Sequence, residues 1–252
     1  MVTTTNPSAG KARRKSGAAP APSLDSADVL LVTAQQLFAE KGIDAVSMRE
    51  IARESGQRNN SALHYHFGSK EALIQAILQR GMVKIDGLRN DYLDRVFVEQ
   101  RHTDLRALVE AIVWPLATGL ATTQVNSYNR FLAAAQMHPE VDLAGSTRED
   151  GERGFRRIQD MLEPLLPAVP PLLLRQRFLA AVAFVIFSLA DFERLKTRRG
   201  KNNRGFDLQR AVENLIDMLC GAISAPVSPQ VAQRVAEHDP PKPFSARAKA
   251  TP

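Results

Sequence analysis

Apolar residues recur at helical spacing through most of this chain. The first predicted helix runs from about Ser26 to Lys41, and Gly42 follows where a C′ glycine would end it. Its apolar stripe consists of Leu30, Ala34, Leu37 and Phe38. No stretch alternates with the period of a strand, and no Asn-Gly turn signal is present. The pattern therefore predicts an all-α fold.

Three short helices and the start of a longer one are predicted within residues 23–82. Ser47 and Glu50 have the spacing of a capping box, in which each side chain bonds to the other residue's backbone N–H. Gly56 marks a turn before a third helix at about 60–66, and Ser69 can cap a fourth. Helix, tight turn and helix is the arrangement that presents a recognition helix to DNA. We predict a helix-turn-helix domain here.

A larger helical unit is predicted at 83–225. Proline- and glycine-containing breakers separate five candidate helices, at 102–122, 125–137, 148–166, 171–198 and 206–224. The flanking segments 1–22 and 226–252 are rich in Pro, Ser, Ala and basic residues, without apolar periodicity. They are predicted to be disordered tails, the first of them basic.

Composition narrows the function classes. The net charge of +6 and the isoelectric point near 9.7 are compatible with a nucleic-acid partner. A single cysteine, Cys220, excludes an intrachain disulfide and suits a cytoplasmic location. The longest apolar run, 13 residues from Phe178, is too short to span a bilayer, so we expect a buried helix and no membrane partner.

Motifs for catalysis are missing from the sequence. It contains no nucleophile elbow, no P-loop and no dinucleotide-binding glycine pattern, so we predict no enzyme and no cofactor. His64 and His66 are two residues apart, which places them on different sides of a helix and argues against a metal site. Cys220 is best interpreted as a small apolar residue of a core helix.

The third helix combines core residues with a surface that lacks carboxylates. Leu63 and Phe67 have the spacing of core positions, and no acidic residue lies between Glu54 and Glu71. Arginine and asparagine can pair with base edges, while Ser, His, Tyr and Lys reach phosphates. An ion pair with Glu50 or Glu54 is the alternative role of Arg49. The predicted DNA contacts are Ser47, Met48, Arg49, Arg58, Asn59, Asn60, Ser61, His64, Tyr65 and Lys70.

The string LFAEKGIDAVSMREIARESG, followed by LHYHFGSKEAL, resembles the DNA-binding domain of TetR-family transcriptional regulators. The matching positions are Phe38, Gly42, Ser47, Arg49, Ile51, Ala52, Gly56, Leu63, His66, Phe67, Ser69, Lys70, Glu71 and Leu73. The resemblance covers about a quarter of the chain. It implies that Lys70, His64 and Tyr65 hold DNA phosphates, and that Arg49 does likewise or reaches a base.

The same resemblance implies a C-terminal ligand-binding and dimerisation domain, and a homodimeric repressor released from a palindromic operator by a small, apolar or aromatic effector. Candidate pocket residues are Trp114, Tyr128, Phe131, Met137, Phe184 and Phe187, for which plain core packing is the alternative. The candidate dimer stripe is Leu208, Val212, Leu215 and Leu219, for which an internal core is the alternative. A helical adaptor or small-molecule-binding protein that does not bind DNA is the rival function.

Overall fold

The computed structural model describes residues 26–56, 61–120, 127–141, 143, 153–197 and 206–238. These residues form helices joined by turns, without a strand, so the predicted all-α fold is confirmed. The N-terminal unit contains α1 (Ser26–Lys41), α2 (Met48–Glu54) and α3 (Ser61–His66). Helix α4 (Lys70–Val98) follows and continues into the C-terminal unit.

The ends of the first three helices follow from local residues. Gly42, Gly56 and Gly68 have φ of +86°, +76° and +73°, the left-handed conformation that glycine adopts without a steric penalty. The backbone N–H of Glu50 donates to Ser47 Oγ at 3.2 Å and caps α2. The second bond predicted for this capping box differs, because the Glu50 carboxylate accepts from Lys41 Nζ at 2.6 Å instead.

Helix α4 runs across the predicted boundary between the two units at 82/83. It begins at its cap Ser69, as predicted, but extends 29 residues to Val98. Gly81 lies inside this helix. A glycine is required at this position because the ring of Tyr128 on α6 occupies the space beside it. A Cβ at Gly81 would lie 2.1 Å from Tyr128 Cζ. One rigid helix therefore belongs to both units.

In the described part of the C-terminal unit, five further helices and a 3-10 turn, Thr118–Leu120, pack on α4 and on one another. They are α5 (Leu105–Ala117), α6 (Tyr128–Gln136), α7 (Arg153–Leu165), α8 (Pro171–Thr197) and α9 (Leu208–Ser224). Each overlaps one of the five predicted helices. A last helix, α10 (Pro229–His238), falls in the segment predicted to be a disordered tail, so that prediction is wrong over these ten residues. Pro229 suits a first helical position, and Ser228 Oγ accepts from the N–H of Val231 at 3.4 Å.

Helix α1 packs directly on α6, so one apolar core runs through both units. The buried rings of Phe38 and Phe131 stack with their centroids 6.2 Å apart. Beside them, Gln35 Nε2 donates to Ser127 Oγ at 3.1 Å. The position of the helix-turn-helix is therefore set by α6 as well as by α4.

A buried ion pair within α4 is contacted by the first residues of α7. Arg89 Nη1 donates to Asp86 Oδ1 at 3.0 Å, and both side chains are almost fully buried. The N–H of Gly154 donates to the same carboxylate at 3.1 Å. The guanidinium of Arg89 also lies 3.8 Å from the ring centroid of Phe155. These contacts hold the start of α7 close to α4. The approach requires a glycine, because a Cβ at Gly154 would lie 2.8 Å from Asp86 Oδ1.

The predicted dimer stripe is wrong, because it lies inside a single chain. Val212, Leu215 and Leu219 are buried where α9 packs against α5 and α8. Leu208 is half-buried and packs on the same core. These side chains cannot also meet a second copy, so the stripe is the internal core that the sequence left as an alternative.

Helix α8 is longer than its central apolar run suggested. Between Pro171 and Lys196 it is long and apolar enough to cross a bilayer by length and composition, which corrects the length argument made from 13 residues. One such helix is weak evidence, because core helices pass the same test. Only 33% of its most apolar window is buried, so the expected buried helix is confirmed on one side only. On that side Phe178, Val185 and Leu189 pack against the other helices.

Glu193, on α8, is a carboxyl group buried at the start of α6. It is 2% exposed, and its Oε1 accepts from Arg130 Nε at 3.3 Å. Its Oε2 has no hydrogen-bond partner among the described residues. Burial raises the pKa of Glu193 from 4.5 to about 7, against the opposing effect of Arg130. The folded protein therefore binds this proton more tightly than the unfolded chain does.

Two glycines of α4 should respond to alanine in opposite directions. Gly81→Ala should lower the free energy of unfolding by about 1–3 kcal/mol, because the new methyl group overlaps the buried ring of Tyr128. Gly87→Ala should raise it by up to about 1 kcal/mol, because nothing lies within 4 Å of its Cβ and alanine favours a helix. Urea denaturation followed by circular dichroism measures both. Equal effects would contradict the packing of α6 on α4.

Titration of Glu193 should make stability depend on pH. Because its folded pKa of about 7 exceeds the unfolded 4.5, its contribution is present at low pH and is lost as the pH rises toward 7. Glu193→Gln cannot titrate. Between pH 5 and pH 8 the free energy of unfolding should therefore fall by about 2 kcal/mol more in wild type than in the variant. Denaturation curves at both values measure the difference. Parallel losses in the two proteins would show that Glu193 titrates normally.

Candidate DNA interface and ligand cavity

The exposed side of α2 and α3 is built on two buried anchors. Leu63 is fully buried and Phe67 packs against the core, which confirms both as core residues. On the outer side of α3, Tyr65 is 86% exposed and meets the ring of His66 edge-on at 5.3 Å. His64 is also exposed, and its Nδ1 lies 3.1 Å from the carbonyl oxygen of Gly68. That contact orients the imidazole and leaves its Nε2 on the outside.

Cations neutralise the carboxylates of α2. Glu50 pairs with Lys41 at 2.6 Å, and Glu54 pairs with Arg53 at 3.0 Å. The hydrogen bond from Lys41 lowers the pKa of the Glu50 carboxyl. The ion pair considered for Arg49 is not formed with either carboxylate within the described chain, and Arg49 is exposed. The α2–α3 surface thus keeps an available guanidinium.

The other predicted DNA contacts differ in how far their side chains are exposed. Ser47 is exposed as the cap of α2, whereas Met48 is half-buried and packs against the core. The predicted DNA contacts of both residues stay predictions. Lys70 is half-buried with Nζ 5.8 Å from the Phe38 ring centroid, and it lines a cleft with Asp44 and His138. Lys70 thus lies in a cleft between the two units, and its predicted phosphate contact stays a prediction. Arg58, Asn59, Asn60 and the side chain of Ser61 lie outside the described residues.

Most of the predicted pocket residues do not line one cavity. Met137 is 72% exposed, and Phe184 and Phe187 are 43% and 40% exposed, because their helices turn these positions outward. Phe131 is buried core, and Trp114 lines a separate surface groove with Tyr92 and Arg95. These five positions were chosen by side-chain type, which does not determine the direction a helix gives them. Tyr128 does line a cavity.

That cavity lies at the junction of the two units and has a volume of about 230 Å³. Helix α1 forms one wall, α4 the floor, and the end of α5, the 3-10 turn and α6 the other side. Its lining residues are Leu31, Val32, Gln35, Ile77, Arg80, Gly81, Lys84, Ile85, Leu88, Pro115, Leu116, Thr118, Gly119 and Tyr128. Sequence reasoning found only Tyr128, because the others become neighbours only when α1 packs on α4 and α6.

An ion pair and a hydrogen bond hold side chains of the two units together at this junction. Arg80 Nη1 on α4 donates to Asp28 Oδ1 on α1 at 2.8 Å. On the far side of α1, His138 Nε2 lies 3.0 Å from Asp44 Oδ1. Among the described residues, no group of three His, Cys, Asp or Glu side chains could hold a metal ion.

Two family profiles match the chain. "Bacterial regulatory proteins, tetR family" matches residues 30–77, and "Tetracyclin repressor-like, C-terminal domain" matches residues 110–222. One curated relative, the HTH-type transcriptional repressor KstR2 of Rhodococcus jostii (strain RHA1), is 40% identical over 84 residues. That match spans 33% of this chain and only 38% of the relative.

Solved structures of low sequence identity share a similar course of the chain. One, described as the molecular basis for control of antibiotic production by bacterial hormones, is 16% identical, with a TM-score of 0.49 over 79% of this chain and 98% of that one. NalD, the secondary repressor of the MexAB-OprM efflux pump in Pseudomonas aeruginosa, is 20% identical, with a TM-score of 0.47 over 77% and 93%. Both scores are under 0.5, so the assignment rests on the sequence matches. Because the two profiles together cover more than half of its length, the chain belongs to the TetR family of bacterial regulatory proteins.

Proposed function

We propose that this protein is a ligand-responsive transcriptional repressor that binds a palindromic operator as a homodimer. The observation that carries this proposal is the α2–α3 surface, where Arg49, His64 and Tyr65 are exposed and the nearby carboxylates are paired. A surface of this kind suits phosphate and base contacts. The KstR2 relative is a transcriptional repressor, which supports repression as the direction of regulation. We propose no enzymatic activity, and we place the protein in the bacterial cytoplasm.

The dimer is proposed on the outer face of α8. This face exposes the apolar residues Leu172, Leu179, Phe184 and Phe187, and Met218 is exposed on the neighbouring helix α9. Water-exposed phenylalanine and leucine side chains on one helix are typical of an interface. Two such helices from each chain would form a four-helix contact. A twofold axis then places two α3 helices on successive major-groove faces.

The ligand response is proposed to act through the junction cavity. A ligand bound there would contact α1 and α4 together, and so would favour some positions of the helix-turn-helix over others. DNA affinity falls by as much as the ligand prefers the conformer that does not fit the operator. Helix α4 is the element that reaches from the capped end beside α3 into the C-terminal unit.

Selection of bound duplexes from random DNA tests the proposed function. We expect enrichment of one inverted repeat, and binding that weakens steeply with salt because phosphate contacts release counterions. A helical adaptor would enrich no sequence. An asymmetric enriched site would retain the regulator and exclude the twofold arrangement.

Replacing Arg49 should weaken operator binding without unfolding the protein. We expect Arg49→Ala to reduce affinity for the selected DNA by about tenfold or more, and to lower the salt slope by about one. Arg53→Ala is the matched control on α2, because its guanidinium already pairs with Glu54. Mobility shifts at several salt concentrations measure both variants. Equal affinities for Arg49→Ala and wild type would exclude Arg49 from the interface.

A charge on the outer face of α8 should separate the proposed dimer. Phe187→Lys places an unpaired ammonium in the apolar contact, so we expect the dissociation constant of the dimer to rise about a hundredfold or more. Val98→Lys is the control, because Val98 is exposed at the end of α4. Sedimentation at micromolar concentration distinguishes monomer from dimer. A dimer that survives Phe187→Lys would place the interface elsewhere.

A further inference from the structure

The charged residues that line the junction cavity are all cations, which the proposed function does not by itself require. Its fourteen lining residues include two cations, Arg80 and Lys84, and no Asp or Glu. Both cations are on α4, one helical turn apart, and both are exposed toward the mouth. Lys84 has no ion-pair partner in the described part of the chain. Arg80 is paired with Asp28 at 2.8 Å, so Lys84 is the cation that leaves the mouth with a net positive charge, which favours an anion.

The inner wall of the cavity is apolar. Ile77, Ile85 and Leu116 are buried there, and the ring of Tyr128 covers Gly81. The Tyr128 hydroxyl donates to the carbonyl of Leu78 at 3.4 Å. A volume of about 230 Å³ is below the usual range for drug-sized ligands, so a short hydrocarbon chain or a single small ring system fits best.

We propose that this cavity binds a small amphipathic carboxylate. The apolar body would lie against Ile77, Ile85 and Leu116, and the carboxylate would accept hydrogen bonds from Arg80 and Lys84. This inference rests on the proposed ligand response and names the chemical class of the effector. It differs from the apolar or aromatic ligand expected from side-chain type, because the two cations add an anionic end.

The geometry also gives the ligand a direct effect on the helix-turn-helix. Arg80 holds Asp28, and this ion pair links α4 to the first turn of α1, 52 residues away in the sequence. A ligand carboxylate at the mouth competes with Asp28 for the same guanidinium. Binding therefore releases α1 from α4 at one end, while the body of the ligand occupies the space between them. The same coupling requires operator DNA to weaken carboxylate binding by an equal factor.

Three probes of equal chain length distinguish the carboxylate from its apolar body. Calorimetric titration of the full-length protein with octanoate, 1-octanol and octylamine should show octanoate binding about tenfold or more tightly than 1-octanol, and octylamine weakest. Arg80→Gln with Lys84→Gln should remove this preference while leaving 1-octanol unchanged. Arg156→Gln is the matched control, because it removes an exposed cation from α7, away from the cavity. Octanoate that binds no more tightly than 1-octanol, or that binds the double variant as well as wild type, overturns the proposal.

A second variant tests the location. Val32 is exposed and lines the mouth, so Val32→Trp should fold normally and should reduce octanoate affinity about tenfold by filling the space. Unchanged octanoate binding in this variant would place the ligand elsewhere. Mobility shifts without ligand are read separately on the selected DNA. If the wild-type protein binds the selected DNA but not octanoate, only this inference is rejected. If it binds no DNA sequence specifically, the proposed function is rejected, whether or not octanoate binds.

Discussion

The contact between α1 and α6 decides where the DNA-facing helices lie. Helices α2 and α3 are short and are held by a few buried side chains, so their position follows that of α1. Helix α1 is fixed through the stacked rings of Phe38 and Phe131 and the bond from Gln35 to Ser127. Because apolar burial and ring stacking are short-range, even a small separation of these helices would change the core. A ligand between α1 and α4 would lie beside this contact, because Tyr128 at the start of α6 also lines the cavity.

The sequence predicts the helices well where local chemistry sets their ends. The first helix has the predicted bounds, because Gly42 adopts the left-handed conformation that ends a helix. The sequence predicted the start of α4 at its cap Ser69 but not its end at Val98, and Gly81 inside it is a packing position beneath Tyr128. Helix α10 was missed because it is short, polar on average and largely exposed, so that Val231 and Val235 at helical spacing were outweighed by the polar residues around them.

The candidate sites were also predicted well only where local helix geometry determines them. The motif around α2 and α3 identified exposed residues such as Tyr65 and core residues such as Leu63, because both follow from local helix geometry. The predicted dimer stripe and most of the pocket residues failed. Helical periodicity shows which side of α9 is apolar, but not whether its own chain or a second copy covers that side. The junction cavity depends on contacts between residues far apart in sequence, and no local pattern marks them.

Thermal unfolding tests most directly the claim that one core joins the two units. Trp114, the single tryptophan, lies in α5 and reports on the C-terminal unit alone. We predict one calorimetric peak whose midpoint coincides with the change in Trp114 fluorescence, because α1 cannot leave α6 without opening the shared core. An additional peak, at a temperature where Trp114 fluorescence is unchanged, would show that the helix-turn-helix unfolds independently and would contradict the account.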